Sequence, residues 1–291
     1  MNDTYSSPSP FEDSASALYQ EMVKPFSNNG FSRPQRIQYE VITDYDELKT
    51  CLNLRYLTSR YVNFIEDNED HLDIDPYDRY STFYGAYNLT GWRKTLVGTL
   101  RVIGEKENET VSSCIDSLIS TARDPRIREI GKRPKKFPVL ESFEIPDSSL
   151  EGLKKTEEGN NTFYPYEISR LAIRPDFWMY GIDVGLHHLL ILDSWLHKPA
   201  RNDFLIAIHP RSYKRYKTIG FRIVPGTSQV IYKHIKQLAI VMVIDLEEYL
   251  NRPRSYRETC ESLMPSYREN GFFTRILNKK LVSNSSNSIN I

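Results

Sequence analysis

Two groups of residues in this sequence are set out as acid–base and ion-pair chemistry requires. The first is YEISRLAI, residues 166–173, an alternating, β-branched-rich run that reads as a strand and carries Glu167 and Arg170 inside it. Burying a carboxylate or a guanidinium unpaired is expensive, so each needs a partner or a task. The second is LDIDPYD, residues 72–78, with Asp73, Asp75 and Asp78 at i, i+2 and i+5. Carboxylates this dense repel one another unless cations sit among them. A calcium loop of the EF-hand kind lacks its glycine and its distant glutamate here. A solvated acidic loop is the bland reading. Three lone arginines in otherwise apolar segments (Arg55, Arg101 and Arg170) favour an internal ion network instead.

The elements that must position these groups follow from the patterning. A short strand is expected over 37–43. Asp44 and Glu47 then form a capping-box pair for a helix running to about residue 61, with Leu48, Leu52, Arg55 and Tyr56 at helical spacing. Two strands, 81–88 and 95–103, are joined by turn residues around Gly91. Residues 105–161 read as an irregular insertion with one helix, 112–122, and a basic segment, 131–136. The strand 167–174 comes next, then Pro175 and Gly181 lead into an amphipathic helix, 182–197. A strand over 203–208, a helix over 210–219, strands 221–224 and 229–232, and a buried strand 238–246 complete the domain. This order predicts an α/β (α+β) fold: a mixed, mostly antiparallel sheet with helices on both faces. The expected division is a flexible arm over 1–34, a domain over 35–250, and a terminal helix with a disordered tail over 251–291.

Composition excludes several classes. Thirty-eight basic and thirty-eight acidic residues cancel, so no global field favours nucleic acid or an anionic membrane. The longest apolar run, 238–244, is too short to span a bilayer. The opening MNDTYSSPSPFEDSAS has neither the cationic flank nor the apolar stretch of a secretory signal, so a cytoplasmic protein is expected. Cys51, Cys114 and Cys260 are scattered without metal-ligand spacing and read as reduced thiols. His187 and His188 are helix neighbours pointing in different directions, with no carboxylate or thiol to complete a metal site, and His197 and His209 also read as structural. No serine lies in a nucleophile-elbow context, so a covalent intermediate is not expected.

Taken in order, LRY (54–56), LDIDPYD, VGTLRVI (97–103) and YEISRLAI resemble the motifs of acyl-homoserine-lactone autoinducer synthases and N-acyl amino acid synthases, a branch of the GNAT superfamily. The resemblance spans about residues 36–249. It implies a GNAT-like sheet and an N-acyltransferase. Matched residue by residue, the pattern falls on Arg55, Asp73, Asp75, Asp78, Arg101, Glu167 and Arg170. The mechanism expected for such an enzyme makes Glu167 the general base with Arg170 beside it, gives Arg55, Asp73, Asp75, Asp78, Arg101 and Ser169 to the acceptor pocket, and gives the oxyanion to backbone N–H groups near Leu171 to Ile173. The first acidic position, commonly Glu in that branch, is Asp73 here. Marks of S-adenosylmethionine-dependent lactone formation are not matched, so an amino acid or similar amine is the expected acceptor. Lactone synthesis, acetyl transfer from coenzyme A, and a catalytically silent binding module remain alternatives.

The same resemblance bears on the acyl donor. Where related coenzyme A enzymes carry a glycine-rich pyrophosphate turn, this chain has Trp178 at the lead and Asp183 at the helix start. The negative charge of Asp183 disfavours a free pyrophosphate and suits a phosphopantetheine arm tethered to an acyl carrier protein, with acyl-coenzyme A the other donor considered; a plain capping residue favoured by the helix dipole is the bland reading of Asp183, and the two are compatible. HPRSYKRYKTIGF (209–221) resembles the superfamily helix whose tyrosine offers a hydroxyl to the departing thiolate, which is Tyr216 here; a packed tyrosine is the plain alternative. Arg211, Lys214, Arg215 and Lys217 make that helix basic, and with 132–136 it is the expected docking face for an acidic carrier protein. No permanently bound cofactor and no metal are expected.

Overall fold

The computed structural model describes residues 37–90, 92–104, 107–131, 137–153, 155–156, 162–163, 165–197, 203–232 and 236–245. The expected arm 1–34, the tail 251–291, the basic segment 132–136 and Gly91 lie outside the described residues.

Strand β1 (Ile37–Ile42) is followed by helix α1 (Tyr45–Tyr61). The Asp44 carboxylate accepts from the N–H groups of Asp46 and Glu47 and so caps α1, as its sequence predicts. Glu47 does not return the bond in capping-box fashion; its carboxylate takes the Lys94 ammonium at 2.7 Å instead. Strands β2 (Ser81–Thr90) and β3 (Arg93–Ile103) form a long antiparallel hairpin. The segment expected to be irregular contains more helix than its sequence advertises. Helix α2 (Glu109–Thr121) is capped by Asn108, and three short helices follow, α3 (Pro125–Arg128), α4 (Pro138–Ser142) and α5 (Asp147–Leu153). A two-residue ribbon, β4 (Lys155–Thr156) with β5 (Thr162–Phe163), closes the segment.

Then come β6 (Tyr166–Ile173), helix α6 (Ile182–His197) and β7 (Asp203–Ile208). The expected helix over 210–219 divides into a 3₁₀ turn, Pro210–Ser212, and α7 (Tyr213–Ile219). Strands β8 (Arg222–Ile223), β9 (Val230–Tyr232) and β10 (Gln237–Asp245) finish the fold. The eight-stranded sheet runs β1-β2-β3-β6-β7-β10-β8, with β9 paired to β10. Among the described residues only the β6–β7 pairing is parallel. The architecture is the mixed, mostly antiparallel sheet that the element order implies.

Helices cover both faces. On one, α6 buries Ile182, Val184, Leu186, Leu190 and Ile191 with Val97, Leu100, Ile168 and Ile206 from the sheet. Each such side chain contributes about 1.5–3 kcal/mol relative to leaving it in water. Gly98 and Gly185 permit this approach: a Cβ on Gly98 would sit 2.5 Å from Ile182, and one on Gly185 2.1 Å from Tyr39. On the other face, α1 and α2 pack Leu48, Leu52, Ile115 and Leu118 against Phe83 and Leu96. Cys51 lies in this layer with its thiol 2.8 Å from the Thr99 hydroxyl, and burial pushes its pKa up to about 12, so it stays an inert thiol.

Candidate functional site

Two departures from regular pairing in β6 create the site. The first is a bulge. Thr99 pairs with Ala172 but Arg101 pairs with Ser169, so Arg170 and Leu171 together oppose Leu100. Arg170 accommodates the extra residue in the left-handed region, at φ 55°, a conformation that costs a non-glycine residue about 1–2 kcal/mol. The second is a splay. The parallel register of β6 with β7 runs from Tyr166–Phe204 to Ile168–Ile206 and ends there. A cavity of about 540 Å³ occupies the opening, with Ser169, Arg170 and Leu171 on the β6 side and Ala207 and Ile208 on the β7 side.

The acidic turn and the three arginines close into one network behind this cavity. Arg55 Nη1 lies 2.8 Å from Asp78 Oδ1 and its Nε 3.5 Å from Asp73 Oδ2. Arg101 Nη1 reaches Asp75 at 2.6 Å and Asp78 at 2.7 Å, and its Nε donates to Ser169 Oγ at 3.0 Å. Arg170 spans Asp73 and Asp75, both at 3.3 Å. The turn braces itself as well, since the Asp75 N–H donates to Asp78 and the Tyr77 N–H to Asp75. Three guanidinium groups thus face three carboxylates. Burial alone pushes the Asp75 carboxyl up, but Arg101, Arg170 and Arg55 more than offset it and hold it well below the usual carboxylate range. The solvated-loop reading of the turn is therefore excluded: Asp73 and Asp78 are buried.

Glu167 is buried on the cavity wall. Its Oε2 accepts from the Val139 N–H at 2.9 Å, at the start of α4, and its Oε1 lies 3.4 Å from the Tyr232 hydroxyl. Burial raises its pKa, the Val139 N–H, Arg101 and Tyr232 pull it back, and it comes to about 8. A carboxyl so tuned is mostly protonated at pH 7 and ionises as the pH rises through about 8, within reach of a role as proton acceptor. Tyr216 also lines the cavity. Its ring is buried edge-on to His187 at 5.3 Å and Phe221 at 5.6 Å, and its hydroxyl has no partner among the described residues. Burial pushes the phenol well above its ordinary value, so it remains a donor.

Of the expected site residues, Glu167, Ser169, Arg170, Leu171, Asp75, Arg101 and Tyr216 line one cavity. Arg55, Asp73 and Asp78 do not reach it; they support Arg101 and Arg170 from behind. Ile173 lies beyond its lining, along the open edge of β6. Arg211, Lys214 and Lys217 are exposed on and just before α7, whereas Arg215 is engaged in an ion pair with Asp183. Asp183 is accordingly not a free charge at the start of α6. His187 and His188 are buried in the core, in keeping with a structural role; His187 Nδ1 donates to the Asp183 carbonyl at 2.7 Å, and burial lowers both pKa values. Among the described residues no cluster of side chains could hold a metal ion, and no helix is long and apolar enough to cross a membrane. Sequence reasoning missed Pro138, Tyr232 and Gln237 at the cavity, and Val139, whose N–H holds Glu167.

No protein-family model and no curated protein matches the chain. Solved structures do align with it. FeeM, an N-acyl amino acid synthase from uncultured soil microbes, is 13% identical, with 76% of this chain and 99% of that one covered at a TM-score of 0.42. BjaI, a CoA-dependent acyl-homoserine lactone synthase solved with SAM and isopentyl-CoA, is 15% identical, covering 79% and 90% at 0.45. The AHL synthase LasI is 13% identical, covering 72% and 89% at 0.41. At these identities and TM-scores the likeness concerns the course of the backbone, and the chemistry of the site has to be read from its own residues.

Proposed function

We propose that the chain is an N-acyltransferase that moves a fatty acyl group from a phosphopantetheine thioester to the amine of an amino acid or similar acceptor. One observation carries the reading: a buried glutamate with a near-neutral pKa faces a mostly apolar cavity at the point where two parallel strands part. The apolar lining (Leu100, Ile168, Leu171, Ile206 and Ile208) suits an acyl chain, and the polar end, with Glu167, Arg101, Arg170 and Asp75, suits an amine.

The chemistry is thioester aminolysis by direct attack, with much of its rate coming from holding both substrates in register. The amine nitrogen forms a bond to the thioester carbonyl carbon while Glu167, ionised, takes the amine proton. N–H groups on the open edge of β6, around Leu171 to Ile173, receive the oxyanion. The carbon–sulfur bond then breaks. Tyr216 donates a hydrogen bond to the departing thiolate, and the proton held by Glu167 finally goes to sulfur, whose ordinary pKa of about 8.5 is close to that of the glutamic acid. Arg170 is the arginine placed to meet an acceptor carboxylate, being part of the cavity wall and less buried than Arg55 and Arg101.

An acyl carrier protein is the favoured donor. Arg211, Lys214 and Lys217 offer exposed cations on and just before α7 that suit an acidic carrier protein. A cytoplasmic location fits such a donor. Mass spectrometry of lipophilic extracts from cells expressing the chain tests the proposal. A new N-acyl amine is expected, and its mass gives both the acceptor and the chain length. Extracts identical to those from cells expressing Glu167→Gln would remove the assignment.

A further inference from the structure

The open edge of β6 is not empty at its far end. The N–H of the peptide joining Ile173 to Arg174 donates to the Val97 carbonyl in β3 at 2.9 Å. A planar trans peptide points its carbonyl the opposite way, so the Ile173 C=O faces the side from which β7 has withdrawn. There it accepts a hydrogen bond of 2.8 Å from the indole N–H of Trp178. Trp178 is 47% exposed and stands in the 3₁₀ turn Pro175–Tyr180, with its ring edge-on to Tyr61 at 6.0 Å. Ser59 and Phe64, on either side of Tyr61 in the chain, line the cavity, and the indole packs on Tyr61 just outside that lining.

We infer that Trp178 occupies the carbonyl to which an amide of the donor's pantetheine arm must bind, and that it sets donor affinity by competing for that acceptor. This rests on the acyl-transfer reading. A pantetheine arm is narrow, extended and carries two secondary amides, so it pairs with an unpaired strand edge as an added strand does. Leu171 and Ile173 lie on the exposed edge, and the Ile173 carbonyl is already taken. The arm must displace the indole to use it. An exposed hydrogen bond is cheap to exchange, so the device tunes binding rather than blocking it.

Trp178→Phe keeps an aromatic ring against Tyr61 and removes the competing N–H. With octanoyl-coenzyme A and octanoyl-carrier protein as donors, the KM for donor should fall by roughly 2- to 12-fold, one ordinary net hydrogen bond, while the KM for acceptor holds. In a Trp92→Phe, Trp195→Phe background Trp178 is the one tryptophan left, and saturating donor should shift its emission. Acyl transfer with an unchanged or higher donor KM in Trp178→Phe, or with no shift of the Trp178 emission at saturating donor, overturns this inference and leaves the function standing. No transfer and no binding with either donor overturns both.

Discussion

Replacing Glu167 with glutamine removes an ionisable group while preserving the size of the side chain and an oxygen for the Val139 N–H. Its effect on stability follows from the site. The folded pKa of about 8 lies above the ordinary 4.5, so folding favours the protonated acid. The sign is that of a raised group: its contribution is complete below the unfolded pKa and is lost as pH rises toward and through the folded one. The gap corresponds to about 5 kcal/mol at most, at 1.36 kcal/mol per pKa unit, of which about 4 kcal/mol falls between pH 5 and pH 9. Glutamine carries no such dependence. Urea unfolding of both proteins at pH 5, 7 and 9 isolates the group, because every other titration, including that of Asp75, is shared and cancels in the difference. Relative to the variant, the wild type should lose about 4 kcal/mol across that range. Turnover should meanwhile fall by about 10²- to 10⁴-fold in the variant, and wild-type kcat should rise with pH toward a plateau above about 8. A stability difference that does not change with pH would refute the protonated, buried carboxyl. Wild-type turnover in the variant would refute the base.

Asp78→Ala leaves Arg55 and Arg101 buried with their shared carboxylate gone. It should destabilise by about 3–5 kcal/mol in urea unfolding, and a loss under 1 kcal/mol would show that the network is dispensable. Arg170→Ala and Arg170→Gly lose the same ion pairs, but only glycine relieves the positive φ. The glycine variant should therefore be the more stable by about 1 kcal/mol, measured as a difference in urea midpoint, and equal midpoints would contradict the strain. Gly185→Ala drives a methyl into the Tyr39 ring and should cost at least about 1–3 kcal/mol by thermal unfolding; unchanged stability would mean that α6 lies farther from β1 than the structure places it.

The parts of this fold that were legible in the sequence are those with local signals. Asp44 announces α1, the alternating and turn-bounded runs announce the β2–β3 hairpin, and the continuous apolar run of β10 announces a buried strand. The ion network was legible too, because three aspartates in seven residues and lone arginines in apolar elements each demand a partner. The surroundings of Glu167 carried no such signal. Helix α4 has five residues, and its N-cap is Phe137, which supplies no side-chain cap; the carboxylate that takes its Val139 N–H comes from Glu167, a strand away. Tyr232 stands 65 residues further along the chain from Glu167 and meets it only because β9 folds onto β10. The bulge was equally silent, since nothing about an arginine marks it for a left-handed conformation; that geometry is imposed by the register of β3 against β6. Asp183 shows the converse error. Its position at a helix start suggested a charge facing the donor, whereas α7, 32 residues later, returns Arg215 to neutralise it.

The most direct test of acyl transfer at the β6–β7 opening is to follow thiol release and amide formation together, with purified chain, an acyl carrier protein thioester and a panel of amino acids and simple amines. One equivalent of free thiol per equivalent of N-acyl product is predicted, with both abolished together in Glu167→Gln. Thiol release without any amide, or amide formed at undiminished rate by the variant, would contradict the account.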